Sequence, residues 1–235
     1  MVSVLFSPDG RYLLSASQYK QIKLWQVGKG GMYRTVQVLD EPCSYLSSIV
    51  FSPNDRWLAF GGINQEIHLW KRDHASESHF RPAQKLQTGF TIFTLAFSPN
   101  GQLLAVDNWN EIALWRFDEG KQQLQQVQSL KASLGGWAQS LAFSPFGGRL
   151  ASASHDKLVL LEQGKDGDFR QIREFKMPDD CIPRVAFSPN GKWYALGAGD
   201  RVFFWKGDIP DRRPLARKIA DRLKGRIAMN RLTDM

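Results

Sequence analysis

Short apolar runs alternate with clusters of turn residues along this chain, and the alternation returns with a period near 45 residues. In "SIVFSPNDRWLAFGGINQEIHLW" an apolar run ends at Phe51, a Pro-Asn-Asp turn follows, then "WLAF", a Gly-Asn turn and "IHLW". Runs of this length, rich in β-branched and aromatic residues and bounded by turn formers, predict antiparallel strands. A fourth, more polar strand follows in most units: "MYRTVQVLD", "FRPAQKLQT", "QQLQQVQSLK" and "DFRQIREFKM". The first run of each unit is continuously apolar and the last alternates. A strand enclosed by two neighbouring sheets must be apolar on both faces, whereas one on the rim is half solvated. The small residues Ala96, Ala142 and Ala186 in the first runs suit crowding near an axis.

The repeat is anchored at two places. Phe-Ser-Pro begins at Phe6, Phe51, Phe97, Phe143 and Phe187, and a second anchor follows 18 or 19 residues later at Trp25, Trp70, Trp115, Leu161 and Trp205. Each pair explains itself structurally, because burying one large side chain contributes about 1.5–3 kcal/mol. Four-stranded sheets of about 45 residues packed radially make a β-propeller. The fold class is therefore all-β: five four-stranded blades over residues 1–205, with units starting near 1, 46, 91, 137 and 181. The first unit opens directly on its inner strand and the fifth stops at Trp205, so the last blade is expected to be incomplete and the ring open. Residues 206–235 shift period, with Leu215, Ile219, Leu223 and Ile227 four apart and Pro214 just inside a helix start, predicting a short α-helical tail.

"FSPDGRYLLSAS…IKLW" and "FSPFGGRLASASHDKLVLL" resemble WD40 repeats of the bacterial type, and the likeness covers residues 1–205. The units depart from the family in lacking the Gly-His pair before the first strand and an Asp directly after the anchor tryptophans. They are degenerate blades held mainly by packing. The resemblance implies an assembly or recognition scaffold, part of a longer array; in bacterial relatives such arrays often form the sensor of a larger protein carrying a nucleotide-switch or effector domain.

Charge adds one qualification. Of the net charge of +8, the tail from residue 206 holds nine Lys/Arg against four Asp/Glu, so the repeats are nearly balanced. A basic amphipathic tail gives the alternative function, an adaptor for nucleic acid or an anionic membrane surface. The tail carries no aromatic residue, so base stacking is poorly supported. Cys43 and Cys181 form no metal-ligand pair or disulfide framework, and the sequence shows neither a membrane span nor a secretion signal; the expected location is cytoplasmic.

Candidate chemistry is sparse. "GKGGMY" (28–33) joins two strands, where a phosphate loop needs a helix after it. Ser154, His155 and Asp156 are consecutive at a turn and point apart, whereas a triad must converge. Asp73, His74, Glu77 and His79 lie in a loop without the rigid frame that metal ligation requires. No enzyme, cofactor or metal is expected. The function expected is a non-catalytic protein–protein interaction scaffold or sensor for a protein or peptide, completed by an oligomer or by covalent continuation. Its surface is placed on the face bearing the second-to-third strand turns (Tyr19, Asn64, Asn110, Asp156, Asp200) and the linkers (Tyr45, Phe90, Asp180). Trp109 and Trp137, surplus to the repeat's packing, mark its hot spots.

Overall fold

A computed structural model describes residues 3–17, 21–39, 45–73, 79–108, 111–118, 120–131, 138–155, 157–176 and 183–206. The expected tail, apart from Lys206, lies outside them. Sheet 1 holds β1 (Ser3–Phe6), β2 (Tyr12–Ala16), β3 (Ile22–Val27) and β4 (Tyr33–Leu39). Sheet 2 holds β5 (Leu46–Phe51), β6 (Trp57–Gly62), β7 (Glu66–Arg72) and β8 (Phe80–Gln87), and sheet 3 holds β9 (Thr94–Phe97), β10 (Leu103–Asp107), β11 (Ile112–Asp118) and β12 (Gln123–Leu130). Sheet 4 holds β13 (Ala138–Phe143), β14 (Arg149–Ser154), β15 (Lys157–Gln163) and β16 (Phe169–Lys176). Sheet 5 comprises β17 (Arg184–Phe187), β18 (Trp193–Ala198) and β19 (Arg201–Lys206) among the described residues. Every sheet is an antiparallel meander in chain order, and first strands of successive sheets adjoin one another. This is the arrangement of an open propeller.

Four hydrophobic clusters make four seams. Tyr12, Leu14 and Leu24 of sheet 1 meet Leu58, Trp70 and, at the margin, Phe51 of sheet 2. Ala59, Ile67 and Leu69 meet Leu104, Trp115 and Phe97; Leu103, Ala105 and Leu114 meet Leu150, Leu161 and Phe143. Ala151, Leu158 and Leu160 meet Tyr194, Trp205 and Phe187. In sheets 2 to 5 the Phe and the later anchor thus face the preceding sheet. Burial is greatest in the second and third strands, β6 being buried throughout, while the first strands are only partly so. The middle strands of sheets 2 to 4 are covered on both faces, whereas those of the outermost sheets 1 and 5 are buried at alternate positions.

Phe6 is 61% exposed, and Phe51, Phe97, Phe143 and Phe187 are half-buried. The most buried member of Phe-Ser-Pro is the serine: Ser7, Ser52, Ser98 and Ser144 are all buried. Each serine Oγ accepts a hydrogen bond from the amide five residues on, at 2.9–3.0 Å. In four units it also donates to the side chain two residues on: Asp9, Asn54, Asn100 or Asn190. The position three after the serine holds positive φ, so glycine occupies it in four units and Asp55 (φ 58°) in the other. The motif recurs because it closes the first hairpin turn without leaving a buried amide orphaned.

The outer strands are clamped by glutamines. Gln37 accepts from the Phe80 amide and donates to its carbonyl, both at 2.7 Å. Gln84 does the same to Leu124 (2.8 and 3.2 Å) and Gln128 to Phe169 (2.9 and 2.8 Å). Gln84 and Gln128 each lie four residues after the residue their own strand offers to the previous clamp, Phe80 and Leu124, so the three outer seams form one repeating ladder.

Candidate interaction rim

The linker before sheet 2, the β6–β7 turn and the linker before sheet 3 fold onto one another at one end of sheet 2. The Ile63 amide donates to the Tyr45 carbonyl (3.2 Å), the Ile92 amide to the Gly62 carbonyl (3.1 Å) and the Thr88 amide to the Gln65 carbonyl (2.8 Å). Glycine makes this approach feasible: a Cβ at Gly62 would stand 1.8 Å from the Tyr45 carbonyl oxygen, and one at Gly61 2.6 Å from Ile92 Cδ1. The close layering leaves Tyr45 and Ile63 side chains 38% and 46% exposed, with Asn64 half-buried beside them. Phe90 turns inward against the core between sheets 2 and 3, its carbonyl accepting from the Thr88 hydroxyl at 2.8 Å.

A charged group borders the turn. Glu66 takes hydrogen bonds from Lys85 (2.8 Å) and Gln87 (2.7 Å), and the Lys85 ammonium holds its carboxyl below the ordinary range. His68, buried, stacks on Phe60 with ring centroids 5.0 Å apart and lies 3.3 Å from Glu66.

Of the residues assigned to this face from the sequence, Tyr45, Asn64 and Phe90 come together around sheet 2. Asp200 projects from the β18–β19 turn, its side chain 94% exposed. Tyr19, Trp109, Asn110, Trp137, Asp156 and Asp180 lie outside the described residues. The sequence reading missed Ile63, whose exposure shows only once the two linkers are seen to press the turn outward. It also missed the serine and glutamine hydrogen bonds, although "FRPAQ" and "LQQVQ" carry the glutamines at matching positions.

Residues singled out for chemistry have structural partners. The Ser154 hydroxyl donates to the Lys157 carbonyl, the hairpin at Gly28 is closed by its amide on the Met32 carbonyl, and Asp73 pairs with Arg81 at 2.7 Å. Among the described residues no three His, Cys, Asp or Glu side chains gather as for a metal, and no helix is long and apolar enough to cross a membrane. Asp107 is the most unusual titratable group. It is fully buried in the seam between sheets 3 and 4, accepts from the Ser152 hydroxyl, and its Oδ1 has no hydrogen-bond partner among the described residues. Burial pushes its carboxyl well above the ordinary range.

The family model for the WD domain, G-beta repeat, matches residues 2–26, 33–71 and 124–161, which are strands of sheets 1 to 4. These segments carry WD40 repeats. Among curated proteins, the chain is 23% identical over 205 residues to the transcriptional corepressor LEUNIG_HOMOLOG of Arabidopsis thaliana, covering 85% of this chain and 24% of that protein. It is likewise 23% identical over 199 residues to the serine-threonine kinase receptor-associated protein of Gallus gallus, covering 84% of this chain and 52% of the relative. The chain thus spans about a quarter to a half of these relatives' length. Among solved structures, a candidate 6-phosphogluconolactonase from Bacteroides uniformis superposes with TM-score 0.72 at 16% identity, over 86% of this chain and 65% of that one. A functionally unknown protein from Desulfotomaculum acetoxidans gives 0.71 at 15%, over 87% and 65%. At such identities the likeness is one of fold.

Proposed function

We propose that this WD40 chain is a non-catalytic, cytoplasmic interaction scaffold or sensor module that presents the rim around Tyr45, Ile63 and Asn64 to a protein or peptide. The observation that carries the reading is the exposed aromatic–aliphatic pair Tyr45 and Ile63 on backbone held by Gly62, since rigid apolar anchors with a polar border characterise binding hot spots. The similarity to a serine-threonine kinase receptor-associated protein supports a role in association.

The test is affinity capture with the full chain, followed by mass spectrometry and a binding titration of the captured protein. Ile63→Asp with Tyr45→Ala is expected to weaken the complex by about 2 kcal/mol or more while leaving the unfolding midpoint nearly unchanged, with little dependence on salt. Capture that survives both substitutions but collapses between low and moderate ionic strength would move the function to the basic tail and an anionic partner.

A further inference from the structure

The face of sheet 1 turned away from sheet 2 carries the residues with which the later sheets grip their predecessors. Phe6, Leu13 and Trp25 stand in cross-strand register, as Phe51, Leu58 and Trp70 do in sheet 2 and Phe97, Leu104 and Trp115 in sheet 3. Trp25 is already oriented, its Nε1 donating to Ser15 Oγ at 2.9 Å. Tyr33 holds the place of Phe80, Leu124 and Phe169, four residues before a clamping glutamine. Those three are 0–2% exposed, whereas Tyr33 is 44% exposed, and Val4 and Phe6 are 48% and 61% exposed.

We infer that this face is a docking surface for a further four-stranded sheet of the same repeat, one whose outer strand brings a glutamine onto the Tyr33 backbone. The occupant's chemistry is set by the ladder: an apolar face of second and third strands to cover Phe6, Leu13 and Trp25, and a carboxamide to pair with one main-chain amide and carbonyl. A solved protein of this fold extends beyond the match. With 86% of this chain matching 65% of the Bacteroides uniformis protein, that protein has about 110 residues beyond the match, a little over two repeat periods. The inference concerns a surface separate from the rim around Ile63 and holds whether or not that rim binds a partner.

The experiment joins a duplicate of residues 45–93 directly to Ser3 of the otherwise intact chain. The duplicated Phe51 then stands 46 residues before Phe6, as the native one stands before Phe97. The expected result is a Tm higher by about 5 °C and roughly half the binding of an apolar dye. Gln84→Ala in the duplicate alone should return part of the gain, and Phe6→Glu should remove most of it while barely changing the Tm of the unextended chain. An extended chain that is insoluble, or whose Tm and dye binding are unchanged, overturns the inference, as does a duplicate indifferent to Gln84→Ala. Two further results overturn it by naming another occupant. One is a concentration-dependent dimer of the unextended chain in sedimentation that Phe6→Glu dissolves; the other is increased dye binding when residues 207–235 are deleted.

Discussion

At the scale of single residues, one position shows how a substitution in one strand is answered in another sheet. In sheet 1 the second-strand Ser15 accepts the indole N–H of Trp25. In sheets 3 and 5 Val106 and Leu196 stand at that place, and the indole nitrogens of Trp115 and Trp205 are buried without a hydrogen-bond partner among the described residues. Sheet 4 has the serine, Ser152, but Leu161 in place of the tryptophan, so the hydroxyl turns across the seam and donates to Asp107. Because burial raises the Asp107 pKa, the folded chain holds a proton that the unfolded chain releases. The stabilisation is fully present below the ordinary carboxylate value and declines as pH rises above it, by at most about 1.4 kcal/mol per pH unit. Asp107→Asn should therefore gain stability relative to the wild type as pH goes from about 4 to 8, a trend that urea midpoints at several pH values would show. A difference independent of pH would mean that Asp107 ionises freely in the fold.

Between elements, the hairpin turns decide more than their solvent exposure suggests. Ser98 joins β9 to β10 through its own amide on the Leu103 carbonyl (2.8 Å), its hydroxyl on Asn100 and the Leu103 amide on its Oγ (2.9 Å). Removing the hydroxyl leaves a buried N–H without a partner, a cost of about 1–3 kcal/mol. Ser98→Ala is expected to lower stability by that amount in chemical denaturation, and Ser98→Thr should recover most of it if the methyl group fits; a loss below 0.5 kcal/mol on the order-of-magnitude scale of a surface change would show the turn to be held by glycine alone. Strand pairing itself was legible in the sequence, since runs such as "WLAF" and "IHLW" alternate with turn formers at every unit. The glutamine clamps were not, because a glutamine on a polar outer strand looks like any solvated residue until the neighbouring sheet's backbone is beside it.

For the whole molecule, the stacking order sets which equal residues are unequal in energy. Trp70 is 6% exposed within the seam against sheet 1, whereas Phe6, at an equally regular place in the repeat, is 61% exposed. Trp70→Ala should cost about 3–5 kcal/mol and Phe6→Ala less than about 0.5, read from thermal or urea unfolding of the two variants. Equal losses would mean that sheet 1 is covered in solution. The candidate rim obeys the same logic: Tyr45, Asn64 and Phe90 were placed on one face from the up-and-down meander, but only the packed linkers show that Phe90 is turned inward and Ile63 outward.

The sequence alone determined the number of units, their strand order and the two anchor positions, because hydrophobic period and turn chemistry are local properties that each segment expresses by itself. It could not rank the anchors or reveal the Asp107–Ser152 contact. Burial and hydrogen-bond satisfaction belong to pairs of sheets some 45 residues apart in the chain, and they exist only when stacking brings one sheet's face against the next.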